Sequence, residues 1–236
     1  SYLKNYILLY INLSLWYIIL IFVSMKYNSF RYLYPPRPKN AIPDSDLDFW
    51  DNGSLIAQPK INGSNCVVFT NGEKLMMMNR HSQYLTNVNI SREELLNLFR
   101  GEKGKWMVIN GEYLNKSKQD ENRTTFNHKF CIFDILVYNS EYLIGETFQE
   151  RINLLDELYG VNDSEKSYLY SVSDNVYRIK SFDKGFKSLF DQLTPIDMIE
   201  GLVLKRKNAK LEIGNTENNN IKSQLKARKP TKNYKF

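Results

Sequence analysis

The sequence predicts an α+β fold of antiparallel β-sheets flanked by helices. Three observations carry this reading. Apolar runs of strand length recur along the chain, and tight-turn dipeptides such as Asn71-Gly72 and Asn110-Gly111 punctuate them. Helix-start signals are few and irregularly spaced, so the regular strand–helix alternation of a parallel sheet is missing. No internal repeat imposes a solenoid. The 236 residues suffice for one sizeable domain or two small ones. With 42% hydrophobic and 25% charged residues, wholesale disorder is excluded.

The chain opens on an apolar segment. Residues 6–23 (YILLYINLSLWYIILIFV) contain only Asn12 and Ser14 as strongly polar positions. That is about the minimum length of a bilayer-spanning helix. Three readings compete: a membrane anchor, an uncleaved secretory signal, and an upstream extension outside the working protein. No A-x-A-like cleavage site follows, which weighs against the signal. The extension is preferred, because the chain begins with Ser and Met25 opens a polar stretch suited to the start of a soluble domain. The expected division is therefore 1–24 as a hydrophobic extension and 25–236 as one domain. A cytoplasmic location is expected, or a membrane-anchored one if residues 6–23 form a transmembrane helix.

The remaining elements follow in order. Residues 34–43 hold four prolines and read as an extended lead-in. Strands are expected over 55–58 and 65–70, and Asn71-Gly72 turns the second into a strand over 73–79. Ser91-x-x-Glu94 has the form of a capping box for a helix running to Arg100, with Gly101 as its stop. A strand over 105–109 leads to a turn at Asn110-Gly111. Residues 129–138 (KFCIFDILVY) read as a long buried strand. Thr147-x-x-Glu150 opens a helix that Gly160 closes, and Asp183 caps a helix running through Leu193. Residues 201–205 and 225–228 read as strands on either side of the polar loop NTENNN.

Charge narrows the function. The formal net charge is +6. Residues 222–236 hold six basic side chains and no acidic one, a pattern suited to a phosphate or nucleic-acid contact as well as to a solvated terminus. Cys66 and Cys131 form neither a disulfide framework nor a zinc-ligand set, and both sit in apolar runs. His81 and His128 lack metal-ligand spacing and are expected to be structural.

Seven residues then stand out at or near the ends of expected strands: Lys60, Arg80, Glu112, Phe133, Glu200, Lys226 and Arg228. Their order and contexts resemble the covalent nucleotidyltransferase superfamily of ATP-dependent DNA ligases, RNA ligases and mRNA guanylyltransferases. "KING" at Lys60 resembles the nucleophile motif Lys-x-Asp-Gly. "NGEY" at Asn110, "FDILVY" at Phe133, "EGLVLK" at Glu200 and "LKARK" at Leu225 are similar to the four motifs that follow it.

The resemblance implies an adenylation domain of antiparallel sheets, with ATP and Mg²⁺ as cofactors; the family's usual OB-fold domain is not expected, because only seven residues follow Lys229. It makes Lys60 the nucleophile and sets Lys226 and Arg228 against the same phosphate. There they would lower the Lys60 pKa and neutralise charge in the transition state. Residues two apart on a strand share a face, which supports the pair. Glu200 becomes a hard oxygen ligand for Mg²⁺. Glu112 and Arg80 would hold the ribose and nearby groups, and Phe133 would stack on adenine. Asn62, Gly63 and Asn65 belong to the nucleotide site with Lys226, and Gln58 could hydrogen-bond the adenine amine.

Asn62 departs from the usual Asp. "KINGSN" is closer to the Lys-x-His-Gly-Thr-Asn of double-strand-type RNA ligases of phages and kinetoplastid editing, which points to RNA ends or nicks as substrate. A minimal DNA ligase is the alternative. A non-catalytic nucleic-acid-binding protein, tethered to a membrane or not, is the reading from a different class. The C-terminal domain that such ligases carry is expected to be missing, truncated or supplied by a partner protein.

Overall fold

A computed structural model describes residues 26–230. The segment 6–23 and the end of the basic tail, residues 231–236, lie outside the described residues. Among the described residues, no helix is long and apolar enough to cross a membrane.

The strands in chain order are β1 (Asn40–Ile42), β2 (Leu55–Ile61), β3 (Ser64–Thr70), β4 (Leu75–Met78), β5 (Met107–Leu114), β6 (Lys129–Tyr138), β7 (Glu141–Tyr142), β8 (Leu169–Ser171), β9 (Val176–Ile179), β10 (Ile199–Arg206) and β11 (Gln224–Arg228). The α-helices are α1 (Leu47–Trp50), α2 (Arg92–Leu96), α3 (Phe148–Tyr159) and α4 (Phe186–Leu193). The strands form two sheets. The smaller has the order β1-β11-β10-β2, and the larger β4-β3-β5-β6-β9-β8, with β7 paired to β6. The β1–β11 and β6–β9 pairs are parallel and the rest are antiparallel, so the expected α+β architecture holds.

Burial follows the sequence pattern. In α3, Phe148, Ile152, Leu155 and Tyr159 recur at helical spacing and pack under the larger sheet. Thr147 and Glu150 close the predicted capping box, and Gly160 follows the last turn. The strand 129–138 forms over the predicted residues. Helix α4 buries Phe186, Leu189, Phe190 and Leu193 in a core shared with Ile61, Leu202 and Leu204 of the smaller sheet.

Four expectations need correction. Asn110-Gly111 is no turn; it lies inside β5, which runs on to Leu114. A Cβ on Gly111 would lie 2.5 Å from the Phe130 ring and 2.6 Å from the Cys131 carbonyl, so this glycine serves close strand packing. Helix α2 ends at Leu96 instead of Arg100. The Ser91 hydroxyl accepts from the Glu94 N–H, but the Glu94 carboxylate turns to Ser173 and Asn175, so the box is half made. Asp183 does not cap α4. Asp51, distant in sequence, accepts from the Gly185 and Phe186 N–H groups instead.

Candidate active site

The two sheets face one another across a cleft of about 510 Å³, within the usual range for small-molecule sites. Its walls bring together Gln58, Lys60, Gly63, Asn65, Arg80, Glu112, Phe133, Glu200, Lys226 and Arg228. These predicted site residues come from β2, β3, β5, β6, β10, β11 and the connections beside them, and only the fold unites them.

The smaller sheet supplies the more highly charged wall. Lys60 pairs with Gly201 across β2 and β10, and Gly201 pairs with Arg228 across β10 and β11. Gly201 has φ +148, and a Cβ there would lie 1.9 Å from the Ala227 carbonyl oxygen. Glycine therefore lets the three strands close up at this point. Between Ile199 and Gly201 the register shifts by one, which leaves Glu200 without a partner on β2. This bulge aims the Glu200 carboxylate into the cleft. The Lys60 ammonium donates to Glu200 Oε2 at 2.5 Å, and Arg228 Nε lies 3.5 Å from the same oxygen. Lys226 sits two residues from Arg228 on the same face. Desolvation and the nearby Arg228, Lys60, Arg37 and Arg80 charges hold its pKa below the ordinary lysine value.

The larger sheet supplies the opposite wall. The chain passes from β2 to β3 through Asn62-Gly63, so one short link sets the strand that carries Lys60 against the second sheet. A Cβ on Gly63 would meet the Tyr113 carbonyl at 2.6 Å and Glu112 Cγ at 3.0 Å. The Glu112 carboxylate accepts from the Gly63 N–H. Desolvation pushes its pKa up to about 7, against the lowering effect of Lys60. Asn65 donates to Asn110 Oδ1 at 2.9 Å, while its own side-chain oxygen has no partner among the described residues.

Phe133 is the extra residue of a second bulge, between the pairs Asn110–Asp134 and Gly111–Ile132. Ile132 and Asp134 are buried and Phe133 looks into the cleft. Beneath it, Asp134 forms a buried two-pronged pair with Arg151 of α3, at 2.8 and 3.0 Å. Asp134 is thus structural.

Gln58 is 2% exposed. Its amide nitrogen donates to Ser181 Oγ at 3.1 Å, and its carbonyl oxygen has no partner among the described residues. A buried acceptor left open beside an aromatic face fits a nucleobase amine.

One predicted site residue is displaced. Asn62 does not line the cleft. With its amide nitrogen toward Glu200, it donates to Oε1 at 3.0 Å and accepts from Lys118 at 3.1 Å. It supports Glu200 from behind. Several lining residues were not singled out from sequence. Lys205 is 4% exposed, and its ammonium lies 4.6 Å from the Phe133 and Phe148 ring centres. Desolvation drops its pKa to about 8. It is the last residue of "EGLVLK", so the signal was present. His81 also lines the cleft, where it accepts from Arg80 Nε at 3.2 Å and faces Glu217, so a purely structural role does not describe it. The proline-rich lead-in contributes Arg37. The two cysteines behave as expected: both are fully buried, and desolvation raises both thiol pKa values.

Comparisons with known proteins bear on the family and the fold. The family described as the ATP-dependent DNA ligase domain matches residues 40–224. No curated protein sequence matches. Among solved structures, mycobacterial DNA ligase D in complex with ATP and MES is 15% identical with a TM-score of 0.58, over 84% of this chain and 62% of that one. A Lig E DNA ligase is 15% identical with a TM-score of 0.51, over 85% of this chain and 70% of that one. Chlorella virus DNA ligase-adenylate is 15% identical with a TM-score of 0.51, over 84% and 69%. The chain spans about six-tenths of the length of the ligase D structures.

Proposed function

Because the chain belongs to the ATP-dependent DNA ligase domain family, we propose that it is a polynucleotide ligase that carries AMP on Lys60. One observation carries this reading. Lys60, Glu200, Arg228 and Lys226 converge on one wall of the cleft, and an open aromatic face and an unpartnered amide oxygen stand among the other lining groups.

Phe133 stacks on the adenine ring and the Gln58 oxygen accepts from its exocyclic amine. Glu112, with Arg80 nearby, holds the ribose hydroxyls. The Lys60 amine attacks the α-phosphorus. An N–P bond forms, the α–β P–O bond breaks with its electron pair going to pyrophosphate, and the amine proton passes to solvent. Lys226 and Arg228 face the phosphate and neutralise the charge gathering on its oxygens. A strand 5′-phosphate then displaces Lys60 from the AMP phosphorus, and a 3′-hydroxyl attacks the activated 5′-phosphate and releases AMP.

The donor set fits Mg²⁺. Glu200 and Glu112 both present hard oxygens to the cleft, and magnesium commonly binds one or two carboxylates plus substrate phosphates. The ion would supply Lewis-acid charge neutralisation at the phosphates, with Glu200 as its main protein ligand.

The family description supports a DNA nick as the substrate. RNA is the second reading, favoured by the likeness of "KINGSN" to the Lys-x-His-Gly-Thr-Asn of double-strand-type RNA ligases. In this proposal residues 25–236 form the adenylation unit. A non-catalytic binding role is disfavoured by the retention of Lys60, Glu112, Glu200, Lys226 and Arg228 together.

The test is incubation with Mg²⁺ and ATP or GTP labelled at the α-phosphate, read by denaturing gel and intact mass. An adduct of AMP mass that disappears in Lys60→Ala is expected. Label retained in Lys60→Ala would remove Lys60 as nucleophile, and no adduct on well-folded protein would remove the ligase reading. DNA and RNA nicks offered to the same preparation separate the two substrates.

A further inference from the structure

The cleft has a cationic end where Arg37 and His81 take no part in the roles above. Arg37 projects from the proline-rich strap that precedes β1. Pro35, Pro36 and Pro38 flank it and fix the local backbone. The strap is laced to the loop before β11: the Tyr34 N–H donates to the Gly214 carbonyl at 2.8 Å, and the Asn219 amide donates to the Tyr34 carbonyl at 2.9 Å. Strand β1 then runs parallel to β11 and aligns Ala41 with Lys226. Arg37 is thereby held on the cleft wall near the reactive cations, on a braced frame.

Its partner is Glu217, which also lines the cleft. One carboxylate oxygen lies 3.4 Å from Arg37 Nη1, and the other lies 3.5 Å from His81 Nδ1. Arg80 Nε stands 3.2 Å from the other ring nitrogen of His81. Two oxygens of one anion thus bridge groups from the strap and from the turn after β4. Both contacts are longer than a good charged hydrogen bond, and all three side chains are a third to a half exposed. Such a link is weak and readily exchanged for a more highly charged anion. A guanidinium fork suits phosphate oxygens.

We propose, on the basis of the ligase reading above, that Arg37 with His81, the latter braced by Arg80, forms the subsite for the β- and γ-phosphates of ATP. The Glu217 carboxylate occupies this subsite until the triphosphate displaces it. As the α–β P–O bond breaks, charge accumulates on the β-phosphate, and Arg37 stabilises the departing pyrophosphate. The same subsite receives pyrophosphate in the reverse reaction.

Two substitutions predict opposite effects. In the full chain, Arg37→Gln removes the fork, and Glu217→Gln removes the competing charge. Inorganic pyrophosphate is used to discharge the enzyme–AMP, with sealing of a pre-adenylylated nick as the comparison, since no pyrophosphate takes part there. Arg37→Gln is expected to raise the KM for pyrophosphate and for ATP at least tenfold, Arg37→Lys to restore part of the loss, and Glu217→Gln to lower both KM values two- to fivefold. The loss in Arg37→Gln should exceed any change in nick sealing by at least fivefold. Equal losses in both reactions would assign Arg37 to the nucleic acid or to folding and overturn the proposal. So would an unchanged pyrophosphate KM, or a raised one in Glu217→Gln. Calorimetric titration of pyrophosphate into each unadenylylated protein separates this subsite from the ligase reading. Arg37-dependent binding without any enzyme–AMP would leave the subsite standing and remove the ligase; absence of binding would overturn the subsite.

Discussion

Phe133→Leu separates a stacking platform from a core residue. Leucine keeps most of the apolar volume and removes the flat face. Base–aromatic stacking contributes about 1–3 kcal/mol, and about 1.4 kcal/mol corresponds to tenfold, so KM for ATP should rise about 5- to 150-fold. The structural cost is smaller. Phe133 is only partly buried, and the Lys205 ammonium beneath it also faces Phe148 at 4.6 Å, so one ring remains for that cation. A near volume-conserving swap costs below about 1.5 kcal/mol, which for a chain of this size lowers Tm by about 3–6 °C. The assay is enzyme–AMP formation against ATP concentration, with thermal unfolding of the same samples. An unchanged KM together with a Tm fall above about 10 °C would place Phe133 in the core and refute the stacking argument.

Other outcomes follow from the same geometry. Desolvation holds the Glu112 carboxyl protonated up to about pH 7, and its ionised form is the one that accepts ribose hydroxyls, so ATP affinity should rise from pH 6 to pH 8 and level off above. Glu112→Gln should flatten that rise in calorimetric titrations; an equal slope in both proteins would exclude Glu112 as its source. Gly201→Ala places a Cβ 1.9 Å from the Ala227 carbonyl, which is backbone and cannot step aside. It should lower stability by about 2–3 kcal/mol in denaturant unfolding and reduce adenylylation, and a wild-type midpoint would show that β10 and β11 tolerate separation. Asp134→Asn leaves the Arg151 guanidinium buried without its carboxylate and should cost about 3–5 kcal/mol by the same assay, with a loss under 1 kcal/mol counting against the pair as a brace.

The legible part of the molecule was local. Thr147 and Glu150 face one another across a single helical turn, so four consecutive residues state the start of α3. The run 129–138 is long and apolar enough to be a central strand in any arrangement. What failed depended on distant partners. Glu94 satisfies Ser173 and Asn175, about eighty residues away, instead of its own helix, and α2 stops a turn early. Helix α4 takes its cap from Asp51, over a hundred residues back. Asn110-Gly111 carries the strongest short-range turn chemistry, yet Phe130 packs over the glycine and β5 runs through. Asn62 matched a motif by position, but which way its side chain points is set by Lys118 and Glu200.

Glu200 and Phe133, two of the cleft residues, both sit where a strand breaks its periodicity; a third break, between Val108 and Ile109, leaves the buried Leu136 as the extra residue. Strict alternation along β10 would point Glu200 away from the face that Gly201, Val203 and Lys205 share, and strict alternation along β6 would seat Phe133 opposite a residue of β5. In each strand one additional residue against its partner removes that constraint. One bulge brings a carboxylate to within 2.5 Å of the Lys60 ammonium, and the other turns a ring out between two buried neighbours. A bulged residue has no partner directly opposite it on the other strand of that pair, so other contacts fix its side chain. Those contacts are present: Asn62 and Arg228 flank the Glu200 carboxylate, and Lys205 lies against the Phe133 ring. Asn62 and Lys205 therefore act by holding the carboxylate and the ring where the bulges put them. Loss of either should disturb the nucleotide site before it disturbs the sheets.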